Sequence, residues 1–269
     1  MKVVLFCGGL GLRIREAGDN IPKPMVPIGY RPIMWHLMRY YAHYGHKDFV
    51  LCLGHRGDAI KRYFLDYDEC ISNDFVLSDG GKSIKLLSTD AENWTITFVD
   101  TGAEANVGQR LRAVKKHLAG EEMFLANYAD NLSNVHLPSV IEHAKREDKM
   151  ATFVTVRPSQ TFHIVKTEAD STAVKDILPV TTSDIWMNGG FFVLKQAIFD
   201  HLREGDELVV ECFERLIKMQ QLTTFRHDGF WHAMDTFKEK MSLEDLYSRG
   251  KAPWEVWRDR APKDAVAVK

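Results

Sequence analysis

Apolar and polar positions along the chain fall into blocks that alternate between the two periods of regular structure. Val3 to Cys7 is apolar at consecutive positions, the pattern of a strand buried on both faces. Pro32 opens a helix through Ile33, Leu37, Met38 and Tyr41, whose spacing forms one apolar stripe. Phe49 to Leu53 is a second buried strand, and Ala59 to Tyr67 a short amphipathic helix. Thr95 to Val99 then reads as a strand, and Val107 to Leu118 as a helix with basic residues on its outer face. Met123 to Asn127 is a strand, Leu137 to Glu147 a helix with Pro138 in its first turn, and Thr152 to Val156 a strand again.

Hairpin signals interrupt this rhythm. Asp79-Gly80-Gly81 lies between Phe75–Leu77 and Ile84–Leu87, and Phe162–Val165 with Thr172–Ile177 reads as another antiparallel pair. Asn188-Gly189-Gly190 precedes a strand over Phe191 to Leu194. A helix over Leu208 to Met219, a strand over Leu222 to Phe225 and a helix over Phe237 to Arg249 complete the pattern. Alternating strands and helices imply parallel strands joined by right-handed crossovers. The expectation is an α/β fold: a Rossmann-like, mixed but mainly parallel sheet flanked by helices, with a small β-rich insertion or lid. One domain is expected over residues 1–257, with a loosely held tail at 258–269 that is polar and contains proline.

Composition narrows the function. Of 269 residues, 45% are hydrophobic and 27% charged, ordinary for a globular chain able to bury a full core. A formal net charge of −2 offers no global field for nucleic acid, so an anionic ligand must be met by local cations. No apolar run approaches the ~20 residues that span a bilayer, and the N-terminus does not read as a secretory leader. Cys7, Cys52, Cys70 and Cys212 form no CxxC pair, so reduced thiols in a cytoplasmic protein are expected. His43 and His46 are three apart, without the wider pattern of a zinc site.

The chemistry-bearing stretch is the N-terminal one. The first strand runs into Gly8-Gly9-x-Gly11-x-Arg13, then Lys23 between Pro22 and Pro24. A glycine turn after a strand presents backbone N–H groups to phosphate oxygens. The spacing is neither the dinucleotide GxGxxG nor the P-loop GxxxxGK[ST]. Arg13 offers a planar fork and Lys23 a compact charge, stiffened by its prolines. From the residues alone, a plain glycine turn with solvated cations is the competing reading.

GGxGxR, PKPMVPIG, FVDTG at 98–102, Gly108-Gln109-Arg110-Leu111, WMNGGFFVL at 186–194, FRHDGFWHAMDT at 225–236 and GKAPWEVW at 250–257 together resemble the sugar-1-phosphate nucleotidyltransferases. Within them the chain is most similar to the glucose-1-phosphate cytidylyltransferases. The resemblance covers nearly the whole chain. It implies a nucleotide-diphospho-sugar transferase type of fold. It also implies a reaction in which a sugar 1-phosphate attacks the α-phosphorus of an NTP, CTP in the closer subfamily, and pyrophosphate leaves.

By the same resemblance, Arg13 and Lys23 are catalytic, on the β/γ- and α-phosphates respectively, and Asp130 and Asp235 hold Mg2+. The backbone of Leu5, Cys7, Gly8, Gly9 and Gly11 binds the nucleotide together with Gly108 and Arg110. Arg110 is either a fork for the pyrimidine carbonyl or a first-turn surface residue. Asn188, Gly189 and Glu211 correspond to sugar-binding positions, with Asp228 and Trp231 bordering them. Oligomers are common in the family, so a homo-oligomer is expected. Phe230, Trp231, Trp254 and Trp257 serve either its interface or the core.

Three departures fall mostly on the acceptor side. Leu12 stands for a threonine, Ala129-Asp130-Asn131 for Gly-Asp-Gly, and Leu178 for the lysine that normally holds the sugar phosphate. Lys166 and Lys175 are the candidate substitutes for that lysine. The departures raise an alternative: a different phosphorylated or phosphonate acceptor. A non-catalytic, regulatory nucleotide- or sugar-binding relative is the second alternative.

Overall fold

The computed structural model of the chain describes residues 1–8, 21–91, 93–158 and 162–258. β1 (Val3–Phe6) is buried throughout. A single helical turn at Lys23–Met25 leads into a tight hairpin of β2 (Pro27–Ile28) and β3 (Arg31–Pro32). α1 (Ile33–His43) follows at once, with Pro32 as its extended N-cap. Next come β4 (Asp48–Leu53), α2 (Gly57–Leu65), an outlying hairpin of β5 (Phe75–Ser78) and β6 (Ser83–Leu86), and β7 (Thr95–Asp100).

α3 (Val107–Val114) starts at a capping box in which Asn106 and Gln109 exchange side-chain to backbone bonds. β8 (Met123–Tyr128), the short β9 (Asn131–Ser133), α4 (Leu137–Glu147) and β10 (Ala151–Val156) follow. β11 (His163–Thr167) and β12 (Val174–Pro179) pair only with each other. The chain returns through β13 (Met187–Lys195), a π turn at Leu208–Cys212 and α5 (Phe213–Lys218). It ends with β14 (Leu222–His227), β15 (Trp231–Ala233) and α6 (Phe237–Ser248).

Among the described residues, seven strands form the central sheet in the order β14-β10-β13-β8-β1-β4-β7. β8, β1, β4 and β7 run parallel. β13 is antiparallel to both β8 and β10, and β10 is parallel to β14, so β13 alone is reversed. The carboxyl ends of the other six strands and the amino end of β13 therefore share one edge. Strand alternation sorts β1 between two cores. Val3 and Leu5 pack with residues of α1, α4 and α6, while Val4 and Phe6 pack with those of α3 and α5.

The expected mainly parallel α/β sheet is the one observed. Several boundaries differ, each with a local cause. Gly189 and Gly190 lie inside β13 rather than before it. A bulge against β10 shifts the register between Phe153 and Thr155, and Gly190 adopts a φ of +76° there. The helix expected over Leu208 to Met219 begins as a π turn, and the one expected to reach Leu118 tightens into a 3-10 turn after Val114. Of the C-terminal aromatics, Trp254 is fully buried, and Phe230, Trp231 and Trp257 pack against the same core. No helix among the described residues is long and apolar enough to cross a membrane.

Candidate active site

Lys23 begins the turn after Pro22, whose φ of −65° and ψ of 146° aim it, and Pro24 behind it is buried. Its Nζ lies 2.6 Å from Asp130 Oδ2 and 2.5 Å from Asp235 Oδ1. Two elements clamp the hairpin that follows. Gly29, at a φ of +63°, donates its N–H to both carboxylate oxygens of Glu244 on α6, at 3.1 and 3.2 Å. The ring of Tyr247 fills the space a side chain at Gly29 would need. Arg31, with no exposure, pairs with Asp90 at 3.3 Å and stacks 4.3 Å over Tyr67.

The two carboxylates meet through a small ladder. Asn131 on β9 pairs with Ala233 on β15, and the Met234 N–H donates to Asp130 O at 2.9 Å. Asp130 and Asp235 are thus neighbours across the end of that ribbon. Glu239 fixes the second of them. Its Oε2 accepts from the backbone N–H of Asp235 at 2.7 Å and of Thr236 at 2.8 Å, extending the capping box of α6 by one residue. Burial pulls the Lys23 ammonium toward a lower pKa. The Asp130 and Asp235 carboxylates more than offset this, and the net direction is upward. Lys23 is therefore a cation throughout the neutral range.

Two carboxylate oxygens converging on one cation suit a hard divalent ion, which takes one or two carboxylates and completes its shell with phosphate and water. The donor set present thus fits Mg2+. Among the described residues no cluster of three or more His, Cys, Asp or Glu ligands occurs, so the protein supplies only part of such a shell.

On the other side of β1, Leu5 is fully buried in the core, so only its backbone can meet a ligand. Cys7 donates its N–H to Cys52 O at 3.0 Å and its thiol to Leu5 O at 3.4 Å. Burial holds that thiol well above its ordinary pKa, as an inert hydrogen-bonded packing group. A side chain on Gly8 would collide with the Arg110 guanidinium. Arg110 is 2% exposed, which overturns the surface reading of this residue. It donates to Leu53 O at 3.2 Å, Thr101 Oγ1 at 2.8 Å and Ala103 O at 3.3 Å, fixing the guanidinium that packs on Gly8 to the ends of β4 and β7. A cleft of about 730 Å3 shares Thr101 with this brace and none of the Lys23 cluster. Gly108 is required by packing, because a side chain there would strike the carbonyl of Asp206.

Toward β13, Asn188 Nδ2 lies 3.3 Å from Tyr128 Oη, and its Oδ1 accepts from the Gly190 N–H at 2.9 Å. Gly189 O accepts from Trp231 Nε1 at 2.8 Å. Tyr128 is pushed up to about 12, first by burial and further by Glu207 and Asp130. Glu211 is exposed, and its carboxylate accepts the Glu207 N–H at 2.8 Å, a local cap on the π turn. Leu178 pairs with Ile164 in β11–β12, while Lys166, opposite Asp176, and Lys175 are exposed on that hairpin. Gly9, Gly11, Leu12 and Arg13 lie outside the described residues.

The structure therefore joins Lys23, Asp130 and Asp235, joins Gly8 to Arg110, and joins Asn188 to Tyr128. It leaves Glu211 and Leu178 in local contacts of their own. The sequence pattern does not single out Glu239, Glu244, Glu207 or Arg31 as site residues. Only Glu239 left a trace in the sequence, as the fourth residue of a Thr-x-x-Glu box.

A mainly parallel sheet whose first strand leads into Gly8, packed on Arg110, with a lysine set between two carboxylates at its carboxyl edge, fits an enzyme of phosphate-transfer type. The profile of the Nucleotidyl transferase family matches residues 2–259, and the chain belongs to that family. It is 37% identical over 259 residues to the probable glucose-1-phosphate cytidylyltransferase of Bacillus subtilis (strain 168), covering 96% of this chain and 100% of that one. It is 35% identical over 259 residues to the glucose-1-phosphate cytidylyltransferase of Salmonella typhi, with the same coverage of 96% and 100%. Among solved structures, UDP-glucose pyrophosphorylase from Acinetobacter baumanii shares the fold at a TM-score of 0.67 and 18% identity, over 91% of this chain and 92% of that one.

Proposed function

We propose that the protein transfers a cytidylyl group from CTP to a sugar 1-phosphate of the glucose 1-phosphate kind, forming a CDP-sugar and pyrophosphate. The observation that carries this is the Lys23 ammonium held between Asp130 and Asp235 at the carboxyl edge of the sheet. Whole-length similarity to cytidylyltransferases at 35% and 37% identity supports the choice of base and acceptor.

An oxygen of the acceptor phosphate attacks the α-phosphorus, and the bond to the β-phosphate oxygen breaks. No protein nucleophile is needed; positioning and charge neutralisation do the work. Lys23 stabilises charge on the α-phosphate and Arg13 engages the β/γ-phosphates. The backbone of Leu5 to Gly9 with Gly11, together with Gly108 and Arg110, receives the nucleotide. Asn188, Gly189 and Glu211 serve the sugar. Asp130 and Asp235 would hold Mg2+, which supplies positive charge to the phosphate oxygens. Residues 1–257 act as one domain. The exposed apolar hairpin carrying Val76, Leu77, Ile84 and Leu86 supports a homo-oligomer.

One observation favours an altered acceptor: Leu178 is committed to an apolar pair with Ile164, where a lysine would have carried charge. The test is pyrophosphate release from CTP, UTP or dTTP with Mg2+ and glucose 1-phosphate or another phosphorylated or phosphonate acceptor. CTP is expected to be preferred. No release with any NTP and acceptor would overturn the reading.

A further inference from the structure

Beyond the reacting end of the acceptor, a second cationic centre stands on the same sheet edge. Arg226 on β14 is in register with Thr155 on β10, and Thr155 with Asn188 on β13. Register partners share a face, as do residues two apart along a strand. Arg157, just past the end of β10, and Trp186, just before β13, meet at the end of this row. The guanidinium carbons of Arg157 and Arg226 lie 4.1 and 5.1 Å from the centroid of the one Trp186 ring. At its other end the row reaches Tyr128 through the 3.3 Å contact from Asn188.

The two arginines are not equivalent. Arg157 is committed: its Nη1 donates to Ser183 O at 2.6 Å, and Asp184 and Asp228 flank it at 3.5 and 3.6 Å. That explains Arg157 as the clamp that seats Trp186. It does not explain Arg226, which is exposed and has no carboxylate within ion-pairing range among the described residues. Asp184 and Asp228 already offset the charge of Arg157, so the second guanidinium on the same indole, that of Arg226, is the one left open to an anion. Two more polar atoms of the row, Thr155 Oγ1 and Trp186 Nε1, are buried without a partner among the described residues. Such groups mark places where a ligand or ordered water completes the bonding.

Resting on the reading that Asp130 and Lys23 bind the reacting phosphate, we infer that Arg226, seated on Trp186, binds a second anionic group at the far end of the acceptor. With neighbouring strands ~4.8 Å apart, β10 stands ~10 Å and β14 ~14 Å from β8. One monosaccharide ring plus the reach of an arginine side chain spans that interval. The acceptor class is then a sugar 1-phosphate whose distal carbon carries a carboxylate or a second phosphate, which a guanidinium fork holds bidentately. Asp184 and Asp228 are engaged by Arg157 and so do not compete for the Arg226 fork.

The experiment compares kcat/KM with CTP and Mg2+ for glucose 1-phosphate, glucuronic acid 1-phosphate and glucose 1,6-bisphosphate, in wild type, Arg226→Ala and Arg226→Lys. At least one anionic acceptor is expected to exceed glucose 1-phosphate tenfold or more. Arg226→Ala should lower that ratio at least tenfold, and Arg226→Lys should retain part of it. Which of the two acceptors wins identifies carboxylate or phosphate. Turnover of glucose 1-phosphate without a preference for either anionic acceptor, or a ratio unmoved in Arg226→Ala, overturns the inference and leaves the cytidylyltransferase reading standing. No pyrophosphate from any acceptor overturns both.

Discussion

Lys23 Nζ lies 2.5 Å from Oδ1 of Asp235, a residue 212 positions further along the chain. The contact closes the site, because the N-terminal proline-flanked turn and the end of the β9–β15 ribbon share no other charged bond among the described residues than those of Lys23 to Asp130 and Asp235. Removing the ammonium has two opposite effects. On the proposed role of Lys23 at the α-phosphate, charge stabilisation there is lost, so Lys23→Met should lower kcat by about 10²–10³, the scale for deleting one preorganised donor. The two carboxylates, no longer neutralised, should bind Mg2+ more tightly. Steady-state kinetics across a Mg2+ titration checks both. A fall in kcat together with weaker Mg2+ binding would contradict this arrangement.

Asp130 and Asp235 should not contribute equally. The Asp130 side chain is 26% exposed and that of Asp235 is 48%, so charge on Asp130 is less screened. Asp130→Asn is expected to raise the Mg2+ concentration for half-maximal activity at least tenfold. Asp235→Asn should raise it by a smaller factor. Equal shifts, or none, would show that the metal is held elsewhere.

Glu239 touches neither Lys23 nor Asp130 in any described contact, yet it aims Asp235 by accepting that residue's backbone N–H. Glu239→Ala removes two bonds at the start of α6, a loss of about 1 kcal/mol for a capping residue. Its distinguishing effect lies in the metal. Half-saturation by Mg2+ should rise severalfold, and Glu239→Gln, which keeps the acceptor oxygen, should restore it. Thermal unfolding and the Mg2+ titration together separate a cap from a positioning residue: a lower melting temperature with unchanged Mg2+ dependence leaves Glu239 as a cap alone.

Periodicity made the sheet legible because strands buried on both faces, such as Val3–Phe6, carry a signal that needs no knowledge of their neighbours. It failed where the neighbour decides. Asn188 to Gly190 fell before the expected strand because glycine weakens a strand. The bulge against β10 is what makes glycine fitting inside one. Arg110 stayed ambiguous because helix spacing places it near solvent, and only the packing of residues 101–103 over it makes it buried. Lys23 was legible through its prolines, but its contact with both aspartates is a tertiary fact. Arg31 and Glu244 had no local signature, since each acts on a segment distant in the chain.

His36 makes the fold itself sensitive to acid. Its Nε2 lies 2.9 Å from Ile28 O and its Nδ1 3.3 Å from Trp254 Nε1. The carbonyl can only accept and the indole N–H can only donate, so the ring is neutral, with its proton on Nε2. Complete burial lowers its pKa to about 4. An unfolded histidine titrates near 6.5, so between these values the unfolded chain binds more protons and stability falls as the pH drops. Above pH ~6.5 both states are neutral and the contribution is flat. Integrated down to pH ~4, the loss approaches about 3 kcal/mol, of which about 2 kcal/mol is reached by pH ~5. His36→Gln can keep both hydrogen bonds without titrating. Urea unfolding at pH 7.5, 6 and 5 should therefore show a shallower decline in the variant than in the wild type. Parallel declines would mean that His36 already charges in the folded state and that Trp254 gives up its bond to let it.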